Sequence, residues 1–136
     1  MSRRAIGISA VILVIVVGAG LYIASLLLSE SLYSTRGSFA YWLTISSVIK
    51  AVPEIRPTAP PVFYSSAGDG PKLPESAISY RSAAEPAEIT RAVESYLQSK
   101  GYKRRSDGDY VNGPSIVSIE IKPDAGAALV TVRENT

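Results

Sequence analysis

The run from Ala5 to Leu28 contains no charged residue, and it limits the possible folds of this chain more than any other feature. In an α-helix, with a rise of about 1.5 Å per residue, such a run would be roughly 36 Å long. The hydrocarbon core of a bilayer is about 30 Å thick, so a modestly tilted helix would cross it. The sequence therefore predicts a transmembrane helix over 5–28, with the lipid bilayer as its first partner.

The charges at the two ends of this run predict its orientation. Arg3 and Arg4 precede it, whereas the first charge that follows it is Glu30. Because positive residues concentrate on the cytoplasmic side of membrane proteins, we expect residues 1–4 to form a cytoplasmic tail and the rest of the chain to be extracytoplasmic. A cleaved signal peptide is the alternative, but the run is longer than the usual apolar region and no small-residue cleavage site precedes Ser29.

Small residues within the run predict a surface for packing against another membrane helix. Gly18, Gly20 and Ala24 are the residues concerned, and Gly20 and Ala24 stand four apart. Small residues at this spacing let two membrane helices approach closely. The general abundance of Gly and Ala in membrane helices explains the same pattern equally well.

Residues 29–52 predict a juxtamembrane segment that contains a short amphipathic helix. Its apolar stripe has spacings of three and four residues and comprises Phe39, Trp42, Ile45 and Ile49. Trp and Tyr rings settle at the membrane–water interface. We expect the segment to lie on the membrane or on a partner subunit, with Phe39 and Trp42 as contact candidates. Alternatively, it continues the anchor and packs on the protein's own outer domain.

Six of the nine prolines fall in residues 53–76. Proline-rich segments favour extended polyproline II conformation, which spans about 3.1 Å per residue. We therefore expect a linker or a strap that lies across a neighbouring protein. Its apolar patch, Val62, Phe63 and Tyr64, supplies further candidates for partner contact.

Residues 77–136 predict a small α+β domain in the order strand, helix, strand, strand, strand. Polar residues alternate with Ile78 and Tyr80 in the first strand, as expected for one buried face. A helix from Pro86 to Lys100 follows, and Gly101 ends it. Its apolar stripe consists of Ile89, Val93, Tyr96 and Leu97.

The remaining strands of this domain are predicted from turn signals and alternation. Asp107-Gly108 indicates the turn of a small hairpin between Tyr102–Ser106 and Asp109–Asn112. Strands over Ser115–Lys122 and Ala128–Arg133 follow it. One helix over a mostly antiparallel sheet makes a two-layer α+β sandwich.

The composition excludes most catalytic and metal chemistry. The chain has no Cys and no His, which removes the usual ligands of zinc, copper and haem and the commonest general base. Asp107 and Asp109 match a calcium loop poorly, because Val111 stands where an oxygen ligand belongs. We expect no catalytic residue, no cofactor and no metal.

A cluster of basic residues ends the predicted helix but does not predict nucleic-acid binding. Residues 77–136 carry eight Lys or Arg and eight Asp or Glu, so the charges balance. The cluster, which consists of Lys100, Lys103, Arg104 and Arg105, lacks the interleaved aromatic rings that a base-stacking surface requires. A solvated face is the simpler interpretation.

The N-terminus resembles one known class of membrane protein. Arg3-Arg4-Ala5, followed by Ile6 and a long apolar helix, is similar to the leader junction of archaeal type IV pilin-like proteins. The resemblance implies cleavage of a basic leader in front of a helix that forms a filament core. The helix predicted at Pro86–Lys100 departs from an all-β pilin head.

Together these features predict a non-catalytic, single-pass accessory or structural subunit of a larger membrane complex. The anchor helix would dock in the membrane, and the outer domain would bind other subunits. A type IV pilin-like filament subunit and an envelope-anchored sensor or ligand-binding module are the alternatives.

Overall fold

The computed structural model describes residues 3–136, and the side chains of residue 8 and of residues 10–136. It begins with a long helix, α1, Arg3–Leu27. The stretch Ala10–Leu27 has a mean hydropathy of 2.7, and none of it is buried. This confirms the predicted N-terminal apolar helix, which is long and apolar enough to cross a membrane. Met1 and Ser2 of the predicted tail, and the side chains of the pilin-like junction, lie outside the described part.

The strands of the described residues form one antiparallel sheet. They are β1 Leu32–Ser34, β2 Val62–Ser66, β3 Glu75–Ser82, β4 Lys103–Arg104, β5 Tyr110–Asn112, β6 Ser115–Asp124 and β7 Ala127–Asn135. Their order across the sheet of seven is β1-β2-β3-β7-β6-β5-β4. The predicted α+β class with a mostly antiparallel sheet is confirmed, and the sheet is larger than the predicted one.

Three short or medium helices cover one face of this sheet: α2 Phe39–Thr44, α3 Ser47–Lys50 and α4 Pro86–Ser99. Helix α4 follows its prediction closely, since Ile89, Val93 and Leu97 are fully buried and Tyr96 packs against the core from the margin. Gly101 follows it with a φ of 84°, a left-handed conformation that glycine adopts without strain.

The inward-facing side chains of the central strands complete the core below the helices. In the register, Ile78 pairs with Val132 and Tyr80 pairs with Val130. Val117 of β6 is also fully buried. These buried residues alternate with outward-facing ones along each strand. The alternation of apolar and polar residues in the sequence therefore matches the alternation of inward-facing and outward-facing side chains.

The amphipathic helix predicted around residues 38–49 is divided into two. The side chains of Ser38 and Ser46 cap α2 and α3 by accepting bonds from the amides of Tyr41 and Ile49. Between the two helices Ile45 is extended, with a ψ of 133°. A serine cap competes with helix continuation, and β-branched residues at 44 and 45 weaken it further.

The segment expected to be a linker, 53–76, is part of the folded domain, and that expectation was wrong. It contributes β2, which pairs with β3 along its full length. Pro57 forms a bridge with Ser82, and the amide of Thr58 donates to the carbonyl of Arg81 at 2.9 Å. The prolines lie outside the paired strands, where a missing amide hydrogen breaks no ladder bond. The domain therefore starts at β1 rather than at residue 77.

Candidate interaction surfaces

The face of the sheet opposite the helices is open and carries a cleft. One row of outward-facing residues crosses four strands, because Tyr33 pairs with Tyr64, Tyr64 with Ala77, and Ala77 with Arg133. The cleft has a volume of about 410 Å³. Its lining also includes Ser31, Val62, Glu75, Ser79 and Thr131. We call this surface the open-face cleft.

The open-face cleft has an aromatic side and a polar side. The rings of Tyr33 and Tyr64 lie 5.2 Å apart, and Tyr33 is 72% exposed. At the opposite side, Arg133 and Glu75 form an ion pair of 3.2 Å. Ala77 lies between the two sides, and its small side chain forms the floor of the cleft. Such a mixture of exposed rings and paired charges suits contact with another protein's side chains.

Two of the three predicted contacts in 62–64 belong to the cleft, and the third does not. Val62 and Tyr64 face outward on β2. Phe63 faces inward, is fully buried and meets the ring of Tyr41 at 4.7 Å, so its assignment as a partner contact was wrong. A strand sends successive side chains to opposite faces, so three consecutive residues of a strand cannot form one patch.

Tyr33 was not among the predicted contacts, although it is the most exposed aromatic residue of the cleft. Strand β1 is three residues long, which is too short to show alternation in the sequence. The sequence signal that it offers is an aromatic ring shortly after the apolar helix. Its position became evident only from the pairing with Tyr64.

A second apolar surface is formed by α2 beside the C-terminal end of α1. Phe39 and Trp42, both predicted contacts, are exposed together with Leu43. The ring of Phe39 stacks on Tyr22 of α1, with centroids 6.3 Å apart. The ammonium group of Lys50 lies 5.3 Å from the centre of the Trp42 ring and donates to the Trp42 carbonyl at 2.8 Å. We call Phe39, Trp42 and Leu43 the α2 surface.

The predicted helix-packing residues are divided between two sides of α1. At about 100° per residue, Gly20 and Ala24 lie roughly 160° from Tyr22, whereas Gly18 lies within about 40° of it. Gly20 and Ala24 thus point away from α2. A side chain added at Gly18 or Gly20 would meet nothing within 4 Å in this chain, so both positions are open to a neighbour.

A buried carboxylate joins four segments of the domain that are distant in sequence. Glu134 of β7 accepts hydrogen bonds from the hydroxyls of Tyr102 at 2.7 Å and Ser115 at 2.6 Å, and from Ser46. No ion pair among the described residues includes Glu134. These hydrogen bonds hold the start of α3 and the residue Tyr102, which follows α4, against the sheet.

Three of the charged residues singled out in the sequence, Arg104, Arg105 and Asp107, have ion-pair partners within the chain. Arg104 pairs with Glu94 at 3.2 Å, and Arg105 pairs with Asp107 at 2.8 Å. Asp107 also accepts from the amide of Asp109, as in an ordinary hairpin turn. Within residues 3–136, no three acidic side chains converge as metal ligands would.

Comparison with known proteins adds no family to this description. The chain matches no protein-family model, and neither a curated protein nor a solved structure resembles it significantly.

Proposed function

We propose that this protein is a non-catalytic, single-pass accessory subunit of a larger membrane complex. In this account α1 anchors the chain in the bilayer and packs against other membrane helices through Gly20 and Ala24. The sheet domain then binds a partner subunit on the outer side of the membrane.

The open-face cleft is the observation that carries the proposal. Helices cover one face of the sheet, whereas the other face presents Tyr33, Tyr64 and Val62 to the outside. Exposed tyrosines on a rigid strand contribute large contact area at low entropic cost, which is why they are enriched at protein interfaces. The cleft begins on β1, only a few residues after α1, so a bound partner would itself lie close to the membrane.

The proposed orientation has the N-terminus in the cytoplasm and the domain outside. Arg3 and Arg4 before the helix and Glu30 after it support this. A protease added to intact spheroplasts should then remove the domain and spare α1. Protection of the domain in such cells, with digestion after lysis, would reverse the assignment.

Native mass analysis of gently solubilised membranes tests the function itself. The account predicts that unlike membrane subunits co-purify with the wild-type chain and are lost from the double variant Tyr33→Ser, Tyr64→Ser. Arg91→Ala is the matched control, because Arg91 is an exposed residue of α4, on the other side of the sheet from the cleft. This variant should retain the unlike subunits.

The two competing classes give different results in the same experiment. A filament subunit would yield long homopolymers, and a ligand-binding module would yield a monomer that carries a small molecule. Either of these outcomes would contradict the proposed accessory subunit.

A further inference from the structure

The course of the chain after α1 brings α2 back alongside the anchor. After Leu27 the chain enters β1 and then returns, so that Phe39 stacks on Tyr22. Tyr22 is five residues before the end of α1, which places it roughly 7 Å below that end along the helix axis. The first turn of α2 therefore lies at the depth of the outer turns of the anchor.

We infer that the α2 surface is immersed in the headgroup region of the outer leaflet and fixes the height of the domain on the bilayer. This inference rests on the membrane span of the proposed function. The occupant of the surface is lipid, because the surface is continuous with a helix side that lipid would already cover. Leu26 and Leu27 of α1 line one crevice together with Leu43 of α2.

The composition of α2 fits an interface between lipid and water. The helix has no charged residue, and its outer side carries Trp42, which is 66% exposed, and Phe39, which is 53% exposed. Tyr41 on its inner side and Ile45, the residue that follows the helix, are buried in the core. Rings of this kind settle at the headgroup level, since one part of the interface is apolar and the other is wet.

A cation lies next to these rings on the same side of the domain. Lys50, at the end of α3, is held over Trp42 and Tyr41 with its ammonium group within 5.4 Å of both ring centres. An ammonium group at this position can pair with the phosphate of a headgroup beside the rings. The ring and the cation together therefore favour the lipid surface over an apolar pocket of a protein.

The inference also accounts for the use of both faces of the sheet. Tyr41 of α2 contacts Phe63, which points to the helix side, whereas Tyr33 and Tyr64 point to the other side. Lipid contact through α2 would place the helix-covered side of the sheet against the bilayer. The open-face cleft would then stay accessible to a partner.

Trp42 is the only tryptophan of the chain, so its own fluorescence reports the environment of α2. The test uses the full chain reconstituted in phosphatidylcholine vesicles, with lipids that carry bromine either near the headgroup or deep in the acyl chain. We expect a blue-shifted emission and quenching that is several-fold stronger with the shallow bromines. A solvent-like emission that neither lipid quenches would overturn the inference.

A tryptophan on the open-face cleft is the matched control. In the double variant Trp42→Phe, Tyr33→Trp the emission should resemble that of an exposed ring and should escape both quenchers. Equal quenching at the two sites would contradict the inferred orientation of the domain.

The failure of this inference and the failure of the proposed function can be told apart. A chain that is released from the vesicles by alkaline carbonate would refute the membrane span and the inference together. A chain that stays in the vesicles with unquenched Trp42 refutes the inference alone. If no unlike subunit co-purifies in the native mass analysis, the proposed function is refuted, and the quenching of Trp42 still decides the inference.

Discussion

The hydroxyl of Tyr102 donates a hydrogen bond of 2.7 Å to the buried carboxylate of Glu134, two residues before the C-terminus. Hydrogen bonds to charged groups contribute more to stability than bonds between neutral groups, about 1.5–3 against 0.5–1.5 kcal/mol. We therefore expect Tyr102→Phe to lower the free energy of unfolding by roughly 1.5–3 kcal/mol in urea titrations.

Tyr96→Phe is the matched control for this change. The hydroxyl of Tyr96 donates to the neutral carbonyl of Val48 at 2.6 Å, so its loss should cost only about 0.5–1.5 kcal/mol. An equal or larger cost at Tyr96 would mean that the carboxylate cluster does not stabilise the domain in the way described.

A second prediction concerns the N-terminal limit of the domain. The fragment 29–136 should unfold cooperatively, whereas the fragment 77–136 should not. The shorter fragment lacks β1 and β2 and five buried residues of the core, Tyr41, Ile45, Ile49, Val52 and Phe63. A domain of about 60 residues buries only about 60% of its unfolded surface, so this loss leaves too little core. Thermal unfolding followed by circular dichroism decides it, and a cooperative transition at an unchanged midpoint in 77–136 would contradict the prediction.

A third prediction concerns the two sides of α4. Leu97 is fully buried, and truncation of such a side chain to Ala costs about 2–5 kcal/mol. Leu97→Ala should therefore lower the unfolding midpoint of the fragment 29–136 strongly. Arg91 is exposed on the same helix, and Arg91→Ala should change the free energy of unfolding by less than about 0.5 kcal/mol. Equal effects of the two changes would mean that the side of α4 that contains Leu97 is not the side that packs on the sheet.

Alkaline pH should unfold the domain through its buried tyrosines. Burial, together with the hydrogen bond that its hydroxyl donates to Glu94, raises the pKa of Tyr110 from 10.0 to about 12. Burial also raises the pKa values of Tyr80, Tyr96 and Tyr102. Since the folded state holds these protons more tightly than the unfolded state, the stabilisation is complete below pH 10 and is lost between pH 10 and about 12.

The size of this effect can be measured with one variant. For Tyr110, a rise from 10.0 to about 12 corresponds to on the order of 2 to 3 kcal/mol. Tyr110→Phe should therefore show a shallower loss of stability between pH 10 and about 12, the range between the unfolded and the folded pKa of the phenol. The same pH dependence in the variant and the wild type would show that Tyr110 titrates normally in the folded state.

The parts of the fold that could be predicted are those with a visible local period. Helix α4 and strands β3, β6 and β7 show their buried faces within the segment itself, as Ile89 and Val93 or Val130 and Val132 do. Strands β1 and β2 could not be found in this way. Phe63 is buried only because β2 pairs with β3, and that register is set by partners distant in the sequence.

The same distinction applies to the candidate surfaces. Trp42 could be predicted from its residue type, because Trp rings are enriched at membrane–water interfaces and Trp42 follows a helix that is long and apolar enough to span a membrane. Tyr33 and the open-face cleft were missed, since they depend on four strands meeting in one row. The apolar spacing of Phe39, Trp42, Ile45 and Ile49 predicted one continuous helix, whereas the structure has two. Ser46, a residue type that caps helices, was the sequence signal for the second helix start.

The most direct test of the proposed subunit is site-specific photo-crosslinking in cells that naturally produce the protein. A photoreactive amino acid replaces Tyr33 in the open-face cleft or, as the control, Arg91 on the exposed side of α4. The account predicts that the probe at Tyr33 forms a crosslink to one unlike membrane protein, that Tyr64→Asp abolishes it, and that the probe at Arg91 does not form it. Crosslinks from Tyr33 only to other copies of this chain, or none at all, would contradict it.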